Sequence, residues 1–575
     1  MRIVKNASRA TIPRTQLNYR MASSMDGEAP GLLMKTRQRV LAILIGLCGT
    51  VALTSAFGQT TYIWTGAADG TNLAAAGNWT PNGIPRPDVT DGTAYGDEMQ
   101  FDGQMTGPLA VTQNGGIQVL GGGSMQPYGL RIHVTSNQTS SVAIQSSVAI
   151  SAGMRMNYFA IDAGSGGMIL GGHNGNAYNI IAGVLDGQIL GFTNNSSTPS
   201  EITEGLRWTL GGAGPHPFVF TGTGDWIVNN HMRTFNGNPV LIQKFGSGTM
   251  TWAGTNNANS AYVEPIGNPI TIGGGTMVWK TSDLVGGSAG NPDIVNNGRL
   301  KYDATSGSCI VAGAISGTGL LQVSSGTLTL SGANTYTGGT LISNGTLALI
   351  GSGSISSSPT IHVSAGATLD VSGAGGLTLA PGQTLEGHGT VNGDLDVISG
   401  ATIVPGFPIE APAINGNLSI DSGTIVANIN TSFSPSNSFY QVTGSINSTA
   451  GTLKLLNFGP SLTGNDKFNI FNQAVSGGGS IVIVSPGFIV NNNLAADGSV
   501  TVAGVQPPGS NLITPSVSGG QLTLSWPSAW MGLHLQVQTN SLGTNWITIP
   551  GTDASNSYLT ALENSVTSVF YRLAP

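Results

Sequence analysis

Few residues in this chain have the type and spacing that chemistry requires. Gly286-Gly-Ser-Ala-Gly290 has the Gly-x-Ser-x-Gly form of a nucleophile elbow, which holds a serine on a sharp strand-to-helix turn with a His/Asp pair beside it. No helix is expected around it, and Gly and Ser are so frequent here that coincidence accounts for the match. Asp394 and Asp396 stand two apart in Gly-Asp-Leu-Asp-Val, so a strand would put both carboxylates on one face. Such a pair could serve glycan cleavage or calcium binding. A solvated outer face around inward Leu395 and Val397 is the simpler reading. His173, His216, His231, His362, His388 and His534 show no His-x-x-His spacing and join no Cys-x-x-Cys, so no zinc site is expected. Gly222-Thr-Gly-Asp225 is a lone fragment of a calcium-repeat pattern. Trp530 and Trp546 could stack on sugar rings, although such residues more often close a small core. No catalytic residue, metal ligand or cofactor site is expected.

Composition narrows the scaffold that could carry these residues. Charged residues make up 8% of 575 and hydrophobic ones 39%, which excludes a solvated, disordered polyelectrolyte. Gly, at 86, is about twice its usual share. A surface of Thr, Ser, Asn and Gly suits exposed strands and turns, so the fold should be nearly all β.

The N-terminal region reads as an export signal. Lys35, Arg37 and Arg39 precede the apolar run Val40–Leu53, and small residues Thr54, Ser55, Ala56 and Gly58 follow. Cleavage is expected after Ala56 or Gly58, and the run is short for a membrane anchor of about 20 residues. Met34 precedes Lys35, so residues 1–33 read as an over-extended start. Removing 1–58 takes eight of the 20 Lys/Arg and two of the 27 Asp/Glu, moving the net charge from −7 to −13. Nucleic-acid binding needs a basic footprint, and none remains. Cys48 leaves with the signal, so Cys309 stands alone without an intrachain partner.

The organising pattern lies in 326–349. Gly326-Thr-Leu-Thr-Leu returns as Gly345-Thr-Leu-Ala-Leu 19 residues on, and Gly366-Ala-Thr-Leu-Asp-Val follows. Repetition at about 20 residues marks a solenoid, in which each unit is one coil of a stack. A lone coil buries too little to offset the entropy of ordering its backbone, so neighbours must share one core. Leu328, Leu330, Leu347 and Leu369 should therefore point inward in register.

Residues 326–349, with Gly-Thr-Leu, Ser-Gly-Ala-Asn-Thr-Tyr-Thr-Gly and a second Gly-Thr-Leu, resemble the autotransporter-associated β-strand repeat. The resemblance implies a secreted or cell-surface, right-handed parallel β-helix of a bacterium. Lys244-Phe-Gly-Ser-Gly-Thr-Met-Thr-Trp252 and Gly275-Thr-Met-Val-Trp279 resemble degenerate copies, with Met and Trp in place of Leu. Gly387-His-Gly-Thr-Val391 and Gly400-Ala-Thr-Ile-Val-Pro-Gly406 resemble further passenger rungs. Trp64-Thr-Gly66 and Gly77-Asn-Trp79 look like the opening segment of such proteins, an aromatic pair that could cover the first coil. Autotransporters themselves end in a translocator barrel of alternating strands with aromatic girdles. The last 65 residues and terminal Pro575 are unlike one, so a self-translocating protein is not expected.

Gln506-Pro-Pro-Gly-Ser510 reads as a linker. After it the strand period changes to alternation, in Gln521–Trp526, Leu533–Gln538, Asn545–Ile549 and Ser568–Leu573. This tail resembles a fibronectin type III-like module and should pack around Trp526, Leu535, Val537, Ile547 and Phe570. The expected organisation is a cap and irregular solenoid over 59–235, the β-helix over 236–505, the linker 506–510 and a small antiparallel β-sandwich over 511–575. The functional expectation is a secreted or surface structural and adhesive protein without catalytic activity. An extracellular polysaccharide-binding protein is the alternative, with a β-helix glycan lyase or hydrolase behind it. The stretch 317–406 holds Asp370, Glu386, Asp394 and Asp396 but no Lys or Arg, which counts against a lyase needing a basic group. Partners are expected among extracellular polysaccharides and cell-surface components, with no nucleic acid and no membrane span after signal cleavage.

Overall fold

The computed structural model describes the chain from Thr60 to Ala574, without residue 74 and the stretches 86–96, 105–108, 114–129, 147–153, 172–179, 183–188, 204–205, 209–215, 230–231, 235–239, 254–268, 281–291, 506–512, 527–531, 539–545 and 562–568. The expected signal segment and start, the Gly286–Gly290 motif and the linker 506–510 fall outside the described residues. Two compact units emerge, Phe57–Pro507 and a second that includes Pro508–Pro575.

The larger unit is a parallel β-helix. One sheet stacks Thr61–Trp64, Glu98–Phe101, Leu130–Val134, Met154–Ile161, Leu190–Asn194, His216–Thr221, Val240–Lys244, Ile270–Ile272, Ile294–Asn296 and Ile315–Ser316, each parallel to the one before. A second face begins at Leu109–Gln113 and passes through Ser200–Ile202, Thr249–Trp252 and Thr276–Trp279 to Leu320–Leu330, also in parallel. The chain visits the faces in turn, so each parallel neighbour is one coil away in sequence.

Stacking places like residues in columns. Leu328 pairs with Leu347, Leu347 with Leu369, Leu369 with Val391 and Val391 with Ile414, and all are buried. The four leucines read from the repeat thus lie inward and in register. Upstream, Met250 and Trp252 stand under Met277 and Trp279, which stand under Leu300 and Tyr302. The degenerate copies therefore keep the register and change only the inward side chain. On the first face Phe159, Phe192 and Phe220 stack with ring centroids 4.9 and 4.6 Å apart and planes within 9°. The phenylalanine column adds ring stacking beyond the area it buries.

The other repeat residues have equally local reasons. Gly345 sits at φ 77°, and a Cβ there would stand 2.4 Å from the carbonyl oxygen of Gly326 below it. Only glycine combines that backbone with so close an approach. Asn334 accepts from the Ile315 amide at 2.8 Å and donates to the Ser354 carbonyl at 3.0 Å, joining three coils. The buried Tyr336 hydroxyl meets Thr340 Oγ1 at 2.6 Å, and Thr340 donates to Ser358 Oγ at 2.9 Å.

Both ends of the stack depart from parallel pairing. At the start, Trp64 and Trp79 pair antiparallel with rings edge-to-face at 5.0 Å, against Phe101. Trp79 Nε1 donates to the Leu73 carbonyl at 2.8 Å, so the buried indole is satisfied. At the far end Phe488–Asn493, Ser499–Val505 and Lys467–Asn469 form an antiparallel sheet. Antiparallel strands at both ends give the terminal coils local hydrogen-bond partners, which the open edge of a solenoid otherwise lacks.

The tail holds two three-stranded antiparallel sheets. One is Thr514–Ser518, Gln521–Ser525 and Ser557–Ala561; the other is Ile547–Thr548, His534–Gln538 and Phe570–Ala574. Leu522, Leu524, Trp526 and Leu535 form the core, with Ile549, Tyr558, Tyr571 and Leu573 against it. Trp526 and Leu535 thus take their expected places, and three others do not. Phe570 pairs with Gln538, so parity turns it away and gives its place to Tyr571. Val537 shares the inward face with Leu535 and Tyr571 but is only half-buried, and Ile547 opposite it is 68% exposed on the edge strand, so neither joins the core cluster. Ile549 fills the site expected of Ile547.

Candidate functional site

The second tail sheet has a polar outer face. Alternation puts Leu535 and Leu573 inward, so Gln536 and Arg572, directly opposite one another, face out, with Thr548 beyond Gln536. Arg572 Nε donates to Gln536 Oε1 at 2.9 Å, and Gln536 Nε2 donates to Thr548 Oγ1 at 3.1 Å. The Arg572 guanidinium carbon lies 4.4 Å from the centroid of the Trp546 ring. Trp546, one of the two aromatic residues singled out for sugar stacking, therefore carries a guanidinium on one face. Trp530, the other, lies outside the described residues. Arg572, Gln536 and Thr548 were not singled out in the sequence, although period-two alternation along His534–Gln538 and Phe570–Ala574 contains the signal.

The remaining candidates are separated. Asp394 precedes the strand and accepts from the Asn417 amide at 2.8 Å and from its side chain, which lowers its pKa. Asp396 instead accepts from Thr378 Oγ1 at 3.1 Å, so the two carboxylates serve different neighbours. His362 Nδ1 lies 3.1 Å from Glu386 Oε1, and His388 pairs with Glu410 one coil on. His534 is half-buried at the start of its strand. His173, His231 and the side chain of His216 lie outside the described residues. Among the described residues no three His, Cys, Asp or Glu gather as a metal site, and Cys309 is buried.

One ionic group was not anticipated. His133 lies between two carboxylates, Nδ1 3.5 Å from Glu98 and Nε2 3.0 Å from Asp162, while Arg131 stands 3.9 Å from Glu98. Arg131 also lies over the Tyr158 ring at 5.3 Å. The hydrogen bond to Glu98 raises the His133 pKa against the opposing effect of burial, and Asp162 adds to the rise. The same bond lowers Glu98, helped by the charge of Arg131. The group clamps three successive coils, and stacking rather than sequence proximity assembles it.

The strand Val240–Lys244 ends in a buried lysine. Lys244, 2% exposed, donates from Nζ to the carbonyls of Phe245 at 2.7 Å, Gly246 at 3.1 Å and Gly274 at 3.4 Å. It joins the corners of adjacent coils, and desolvation lowers its pKa to about 8.

Compared with protein families, the chain matches the passenger-associated-transport-repeat over residues 320–349. Residues 320–349 carry a passenger repeat. The match covers the coil whose Asn334, Tyr336 and Gly345 are described above, and it agrees with the resemblance read from Gly326–Leu349. No curated protein and no solved structure matches the chain. The passenger repeat accounts for the coil at 320–349 and assigns no role to the outer faces. No helix among the described residues is long and apolar enough to cross a membrane.

Proposed function

We propose that the chain is an exported β-helix that works at the cell surface as a structural and adhesive element, with no chemistry of its own. The observation that carries this reading is the register of uncharged side chains along the stack. Thr360, Thr384, Thr402, Thr424 and Thr452 follow one another on five successive coils of one face. At the strand spacing of about 4.8 Å they make a regular outward row of hydroxyl and methyl groups. A periodic polar surface on a continuous core is suited to lying along another periodic surface. The passenger repeat at 320–349 supports an exported setting, as does the tripartite pattern of Lys35–Gly58.

Cell fractionation with N-terminal sequencing tests export; the mature chain should begin near Phe57–Thr60 and be found outside the cytoplasm. Cells lacking the protein should attach more weakly to surfaces, and added purified chain should restore attachment. Turnover of a polysaccharide by the purified chain, or retention in the cytoplasm, would refute the reading.

A further inference from the structure

We infer that the outer face of the sheet Ile547–Thr548, His534–Gln538 and Phe570–Ala574 binds an anionic polysaccharide, with Arg572 receiving its carboxylate or sulfate group. Arg572 is the only Lys or Arg between Pro508 and Pro575. It is exposed, and it makes no ion pair among the described residues. The contrast is Arg131 on the β-helix, which shares the carboxylate of Glu98.

The side chain is nevertheless held in place. Trp546 supports one face of the guanidinium at 4.4 Å, and Gln536 takes the Nε hydrogen at 2.9 Å. Gln536 is anchored in turn by Thr548 at 3.1 Å. Fixing Nε and one face leaves the two terminal nitrogens as the fork that meets an oxyanion through two parallel bonds. Prior ordering removes part of the entropy that binding would otherwise cost. Trp546 and Gln536 are positioning residues in this arrangement, and Thr548 acts only through Gln536. The net charge of −7 acts against general attraction of a polyanion, so retention of one reports a local site.

The site is independent of the proposed scaffold role, because neither export nor the threonine rows involve Arg572. The test is affinity electrophoresis and calorimetry of the full chain against polygalacturonate, dextran sulfate and uncharged dextran. Binding to an anionic polymer and not to dextran is expected, and whichever anionic polymer binds identifies carboxylate or sulfate as the ligand group. Arg572→Met should weaken binding at least tenfold. Arg572→Lys, which keeps the charge and loses the fork, should fall between it and the parent. Lys467→Met, at an exposed cation of the β-helix, should bind as the parent does. Near-UV circular dichroism verifies that each tail remains folded. Equal retention on dextran, unchanged binding in Arg572→Met, or no binding to either polyanion would overturn the assignment.

Discussion

Lys244 occupies the inward position directly above Phe220, so a lysine continues a column of stacked phenylalanines. Its methylene stem lies in the core while its ammonium serves three corner carbonyls. Burying an ammonium group carries a cost that hydrogen bonds offset only in part.

That cost makes stability depend on pH. The folded value of about 8 lies below the ordinary 10.5, so between them the unfolded chain binds the proton more strongly. Stability should therefore rise as pH increases from about 8 to 10.5, by up to about 3 kcal/mol from this group. Lys244→Met should lack that component. Denaturant unfolding of both chains at pH 7.5 and 10 measures it, and parallel changes in the two would show that Lys244 is not the source.

His133 gives a dependence of opposite sign. Its folded pKa is raised, so its contribution is complete below the ordinary 6.5 and is lost as pH rises through the folded value. Glu98 is lowered, so its contribution is present above 4.5 and is lost as pH falls through its folded value. His133→Gln should accordingly destabilise the first coils more at pH 5.5 than at pH 8.5. Limited proteolysis within Glu98–Asp162 reads this directly, and an equal effect at both values would exclude the clamp.

Leu347 tests the stack itself. It is fully buried between Leu328 and Leu369, so Leu347→Ala should cost about 2–5 kcal/mol. Leu347→Asp should cost more, because its carboxylate would have no partner in the core. Thermal unfolding that is unchanged in Leu347→Asp would place the residue outside the column.

What could be read in advance follows from how local each signal is. Gly345 and Leu347 belong to a motif that repeats coil by coil, so spacing alone gave their register. Asn334 was visible as part of Asn-Thr-Tyr, but its bonds to Ile315 and Ser354 depend on which coils become neighbours. His133 escaped notice because Glu98 and Asp162 approach it only through stacking at irregular intervals. In the tail, alternation identified the strands and left the parity of Phe570 against Tyr571 open, since both are aromatic. Arg572 was passed over for a related reason. A lone cation on a strand gains meaning only when its antiparallel partner, Gln536, and the loop residue Trp546 are known.

Trp526 tests whether the tail is a folding unit. It belongs to a core of four buried residues, Leu522, Leu524, Trp526 and Leu535, within the Pro508–Pro575 segment. A module of this size has a stability of only about 3–5 kcal/mol. Trp526→Ala removes about 3–5 kcal/mol, which is enough to unfold it. The β-helix core contains none of these residues, so its own transition should be preserved. Calorimetry of the full parent chain should therefore show two transitions, and that of Trp526→Ala only the one from the β-helix. The isolated segment 511–575 should give dispersed amide resonances in the parent sequence and collapsed ones in the variant. A single transition in the parent, displaced as a whole by Trp526→Ala, would show that the tail acquires its fold only together with the stack.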